Sequence, residues 1–117
     1  MDLDYNDRIY RTIDAKIGHS KFVRILSKID QDNNVTAEFY NYHKEDVDKD
    51  DGTIKNKRNR YITKRISINK FNDMIDKFSL IYPDFEIIGI TDFSNMTLKE
   101  AIEKIGSEKY GKIMRDI

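Results

Sequence analysis

Between Arg60 and Thr91 the hydrophobic period changes from two to about 3.6 and back, which marks strand, helix, strand. Arg60 to Ile68 alternates, with Ile62, Ile66 and Ile68 on one side and Tyr61, Thr63, Arg65 and Ser67 on the other. The helix spans 70–82, where Phe71, Met74, Ile75, Phe78 and Ile81 form one apolar stripe. Asn69 is its expected N-cap, and Pro83 disfavours helical geometry at Tyr82, which sets the stop. Phe85 to Ile90 is apolar at nearly every position, the pattern of a central strand covered on both faces. A unit of this kind is stable only where the helix buries its stripe on a sheet, so the rest of the chain has to supply that sheet.

Phe22 to Ile29 and Val35 to Tyr42 are β-branched and aromatic runs separated by Asp30-Gln-Asp-Asn-Asn34, a turn cluster, and they predict a β-hairpin. Val23, Ile25, Ile29, Val35, Ala37 and Phe39 are assigned to the inner face. Thr36, Glu38, Tyr40 and Tyr42 are assigned outward or to a partner surface. Residues 8–17 fit two patterns. Ile9, Ile13 and Ile17 recur at helical spacing, with Asp4 or Asn6 as cap, yet Ile9, Ile13, Ala15 and Ile17 also alternate. Asp14, Ala15 and Lys16 tip the reading towards helix.

The segment 44–58 is a charged connection expected to be mobile, because it has little apolar area to offset its ordering entropy. Five acids face one lysine in Glu45–Asp51, whereas Lys55 to Arg60 is purely basic. Asp51-Gly52 suits the tip of a long hairpin. At the other end, Thr97-Leu-Lys-Glu100 fits a capping box, with Met96 and Ala101 as the hydrophobic staple. That helix should end at Gly106 in a left-handed stop, and Ser107 should cap a second short helix ending near Arg115.

Together these elements predict one α+β domain over 1–117: a four- to five-stranded, mostly antiparallel sheet carrying helix 70–82 and two short C-terminal helices. The strand–helix–strand unit could add one parallel pairing. With 117 residues, 38% of them hydrophobic and 36% charged, the core is small and the surface ionic. Twenty-one basic residues balance twenty-one acidic ones, so no net charge steers the chain to nucleic acid or to anionic membrane. The absence of cysteine removes disulfides, thiolate nucleophiles and Cys-built metal sites. The acidic N-terminus lacks a signal-peptide pattern, and no apolar run approaches a spanning helix, so a cytoplasmic location is expected.

Candidate chemistry is sparse. His19 and His43 could form an acid–base or metal pair, but they stand at polar loop edges without ligand spacing and read as surface residues. Asp46-Val-Asp-Lys-Asp-Asp-Gly52 places carboxylates at alternate positions, yet the glycine falls one place late for a calcium loop and Lys57 stands where a bidentate Glu belongs. No phosphate loop, dinucleotide fingerprint or nucleophile elbow is present. The basic run Lys55, Lys57, Arg58, Arg60, Lys64 and Arg65, with Tyr61 inside it, could hold phosphates and stack a ring. Its alternative is an ordinary charged face paired with the acidic half of the same loop. Tyr40, Tyr42, Tyr61 and Tyr110 are candidate surface anchors for a partner.

Met96-Thr-Leu-Lys-Glu-Ala-Ile-Glu-Lys-Ile-Gly106-Ser resembles the opening of helix-turn-helix units of the MerR and excisionase type, departing at Ile102, where those carry a second Ala. The resemblance implies that Lys109, Tyr110, Lys112 and Arg115 face DNA; the alternative is a helix that packs on the sheet. Small, motif-free, highly charged domains also resemble accessory and inhibitor proteins of phages and mobile elements. The expectation is a non-enzymatic binding protein without cofactor or metal, sequestering or blocking a protein or a phosphate-bearing ligand. A nucleic-acid-binding regulator is the second reading, and a homodimer through a sheet edge is compatible with the first.

Overall fold

An antiparallel sheet separates two apolar clusters, each covered by helix, in the computed structural model, which describes residues 7–117. Its strands are β1 (Arg8–Gly18), β2 (Lys21–Ile29), β3 (Asn34–His43), β4 (Arg58–Ile62), β5 (Ile66–Ser67) and β6 (Glu86–Asp92). Three helices follow or interrupt them: α1 (Ile68–Ile81), α2 (Leu98–Ile105) and α3 (Ser107–Asp116). The spatial order is β4-β3-β2-β1-β6, with β5 on the end of β3, and every pairing is antiparallel. The α+β class therefore holds, while no parallel pairing occurs among the described residues.

Residues 8–18 are a strand, which corrects the helical preference. A register shift between Ile9 and Arg11 puts an extra residue into β1 and reverses its parity. Ile9 thus joins one cluster while Tyr10, Ile13 and Ala15 join the other. The bulge is held by Ser27, whose hydroxyl accepts from Arg11 N and donates to Arg11 O, each at 3.0 Å. The suggested caps Asp4 and Asn6 lie outside the described residues.

The hairpin β2–β3 forms as expected, and its register runs from Lys21 against His43 to Ile29 against Val35. Asp30 closes its turn by accepting from Asp32 N and Asn34 N, while Asn33 takes a φ of 61°. The inner-face residues pack under α1, where Phe71 meets Tyr10 edge-on at 5.9 Å. The opposite face is not free. Tyr40 and Tyr42 are buried there under Ala101, Tyr110 and Ile113 of α2 and α3, and Glu38 is buried too. Alternation in one strand distinguishes two faces but does not say that both are covered.

The strand expected over 60–68 is broken. Thr63 is buried and replaces a ladder pair, donating from its N–H to Ala37 O at 2.8 Å and accepting from Ala37 N through Oγ1 at 2.9 Å. Ile62 is left exposed rather than in the core. Ser67, not Asn69, caps α1 by accepting from Lys70 N at 3.2 Å. Residues 86–92 form the outermost strand, not a central one, and Ile87, Ile88 and Ile90 are about half exposed.

The C-terminal punctuation is as expected at the start of α2. Thr97 Oγ1 accepts from Glu100 N at 3.1 Å, and Glu100 Oε1 accepts from Thr97 N at 3.4 Å. Gly106 has a positive φ of 85° but a ψ of 145°, an extended region open only to glycine, so the stop is sharper than a left-handed turn. Gly106, not Ser107, is also the N-cap of α3.

Candidate functional site

The two edges of the sheet are built differently. β4 is short, carries Arg58 and Arg60, and is bent by a register shift opposite Phe39 and Asn41 and by a φ of 51° at Asn59. Charge, brevity and bending are the usual means by which an edge is kept from pairing with another chain. β6 has seven residues, with acids at its two ends and Ile87, Ile88 and Ile90 between them. β6 too has a register shift, opposite Asp14 and Ala15 of β1, which leaves Ile88 as the extra residue, but its three isoleucines remain about half exposed. Leu80 and Ile81, at the end of α1, are 83% and 68% exposed, which adds further uncovered apolar surface shortly before β6 in the chain.

Five members of the basic run singled out from the sequence are held by carboxylates, while Lys64 is exposed. Lys55 lies 3.2 Å from Asp48, and Arg58 makes a two-pronged contact with Asp46 at 2.9 and 3.1 Å. Lys57 and Arg60 converge on the two oxygens of Glu38, at 3.1 and 2.6 Å, and Arg65 bridges Asp30 and Asp32 across the hairpin turn. Arg58 and the His43 N–H hold the Asp46 carboxyl down at about 2. The acidic and basic halves of 44–58 are therefore partners, and a bridge between Val47 and Ile54 makes a small hairpin with Gly52 near its tip. Tyr61 and Arg65 are exposed, but with Thr63 buried between them no continuous polar platform forms.

Tyr40 and Tyr42, read as outward anchors, instead belong to an interior network. Arg24 grips Asp14 through Nε at 2.7 Å and Nη2 at 3.2 Å, and Tyr42 donates to Asp14 at 3.2 Å. Burial works against the Arg24 charge, but Asp14 outweighs it and the guanidinium is held above its ordinary pKa. Burial, then Asp14, pushes the Tyr42 hydroxyl up to about 12. Lys57 sits over the Tyr40 ring, 4.9 Å from its centre.

On α3, Tyr110 is wholly buried, which removes it from any exposed reading surface, while Lys109, Lys112 and Arg115 are exposed. Lys109 and Lys112 border a cavity of about 420 Å³ between the sheet, the tip of the charged hairpin and α3. His19 and His43 border one shallow concavity with Glu45, 3.5 Å from His43 Nδ1. Among the described residues no cluster of three or more His, Asp or Glu side chains could hold a metal ion. Among those same residues no helix is long and apolar enough to cross a membrane.

No protein-family model matches the chain, and neither a curated protein nor a solved structure matches it. The reading of the site therefore rests on the chain's own geometry. Sequence reasoning missed the β6 edge and the Asp14–Arg24 pair. The adjacent pair Ile87-Ile88 before Gly89 was the available signal for an irregular outer strand, since two neighbouring apolar residues fit alternation only through a bulge.

Proposed function

We propose that the chain is a small non-enzymatic binding protein that sequesters or blocks a partner protein in the cytoplasm, and that β6 is where the partner docks. The single observation that supports this reading is the contrast between the edges: β4 is short, charged and bent, whereas β6, despite its own register shift, presents three half-exposed isoleucines along an outer edge that no described residue pairs. The partner adds an extended, β-branched strand to β6. Its main chain satisfies the free N–H and C=O groups, and its side chains cover the isoleucines. Covering the exposed half of each isoleucine is worth about 1 to 2 kcal/mol by area, enough for the strip to act as an anchor.

The test is affinity capture with the intact chain and with the double variant Ile88→Lys, Ile90→Lys, followed by reconstitution of the pair from purified proteins. Tyr61→Lys, on the other edge, is the control. The reading expects a one-to-one complex that the double variant loses and the control keeps. A complex that survives the double variant contradicts it. Sedimentation showing that wild type alone is a dimer that the double variant dissolves would replace the foreign partner by a second copy of this chain.

A further inference from the structure

The cavity beside α3 brings together charges that the ion pairs of the surface leave unbalanced. Four cations line it, Arg24, Lys57, Lys109 and Lys112, but Arg24 is spent on Asp14 and Lys57 on Glu38. Lys109 and Lys112 have no carboxylate within 4.0 Å among the described residues; they are three positions apart on α3 and so share a face. Asp51 on the opposite rim feels Lys112 electrostatically, but its carboxylate already accepts from the Thr53 N–H and hydroxyl at 2.9 and 2.7 Å. Below the lysines the wall is apolar, formed by Leu26, Ile105 and Ile113.

We propose that this cavity binds a small phosphomonoester, with the phosphate between Lys109 and Lys112 and an apolar body against Leu26, Ile105 and Ile113. Two ammonium groups without a contacting carboxylate among the described residues match the charge of about −1.5 to −2 that a phosphomonoester carries near neutral pH. A volume of about 420 Å³ falls in the range of small-molecule sites, and the mixed wall of few charges over apolar side chains is their usual make-up. A carboxylate would leave one lysine unmatched. Lys57 over the Tyr40 ring closes that ring to stacking, so the body packs on aliphatic side chains and a planar base gains no special advantage. The inference is independent of docking at β6.

The experiment follows the isoleucine methyl signals of the full chain by NMR while phenyl phosphate is added, with inorganic phosphate and phenol as separate arms. Saturable shifts at Ile105 and Ile113 are expected with phenyl phosphate, weaker binding at the same place with inorganic phosphate, and none with phenol. Lys109→Gln with Lys112→Gln should weaken phenyl phosphate by about tenfold or more, while the corresponding double Arg variant retains binding. Both positions are exposed, so the variants keep the fold, and their circular dichroism verifies it. Equal affinity in the double Gln variant, shifts equal for phenol, or shifts that leave Ile105 and Ile113 unmoved would overturn the proposal.

Discussion

Tyr110 accepts a hydrogen bond from the Ile9 N–H at 3.3 Å, joining the last helix to the start of the first strand across 101 positions of sequence. The ring is wholly buried among Leu26, Tyr40 and Phe93, and burial raises its hydroxyl pKa. Tyr110→Phe keeps the ring but removes the acceptor, and should cost about 1 to 2 kcal/mol. Tyr110→Ala should cost about 3 to 5 kcal/mol, because it also empties the space between sheet and α3. Urea unfolding of the two variants checks the order; equal losses would mean that the ring contributes nothing beyond its hydroxyl.

Glu38 is fully buried, while its partners Lys57 and Arg60 keep 27% and 44% of their side chains in water. The pair is therefore asymmetric. Removing both cations strands a carboxylate in the interior, whereas removing the carboxylate lets the cations rehydrate. Lys57→Ala with Arg60→Ala should cost about 3 kcal/mol or more, and Glu38→Gln distinctly less, as measured by denaturant midpoint. The reverse order would contradict the burial argument.

Acid should release the charged hairpin. The Asp46 carboxyl is held near 2 by Arg58 and by the His43 N–H, below its value of about 4 in an unfolded chain. The folded state thus binds fewer protons between these values. The stabilisation is complete above about pH 4 and is lost as pH falls towards 2. Asp30, Asp48 and Asp51 are shifted the same way by neighbouring backbone N–H groups. Asp46→Asn should lower stability at neutral pH and flatten its fall with acid; parallel curves for the variant and the wild type would rule this out.

Thr97→Ala removes the acceptor for Glu100 N at the start of α2 and should cost about 1 kcal/mol. The loss should appear as a lower melting temperature by calorimetry. Because Met96 and Ala101 pack in the cluster under α2 and α3, loosening this cap also loosens the wall of the α3 cavity. An unchanged melting temperature would reject the cap.

The parts of the fold that follow from local chemistry were legible in the sequence: the β2–β3 hairpin with its Asp30 turn, the stripe of α1 from Phe71 to Phe78 though not its expected end at Ile81, which is exposed, and the capping box at Thr97. What was not legible depends on neighbours distant in sequence. Tyr40 and Tyr42 look outward until α2 and α3 are known to cover that face. Phe85 to Ile90 looks central because apolarity does not distinguish a strand covered on both sides from one awaiting a neighbour. In residues 8–17, the bulge after Ile9 shifts the alternation by one and leaves a spacing that imitates a helix. The basic run could be read, and so could the pairing of Lys55 and Arg58 with the acidic half of the same loop, but the partners of Lys57, Arg60 and Arg65 come from β3 and from the β2–β3 turn, far away in sequence.

Backbone amide hydrogen exchange, residue by residue, tests the docking edge most directly, first on the free protein and then with its reconstituted partner. The account predicts that outward amides of β6 exchange rapidly in the free chain, unlike those of β2, and become protected on binding while β4 is unchanged. Protection of β6 already in the free monomer, or binding that protects another surface and leaves Ile87 to Ile90 as they were, would contradict it.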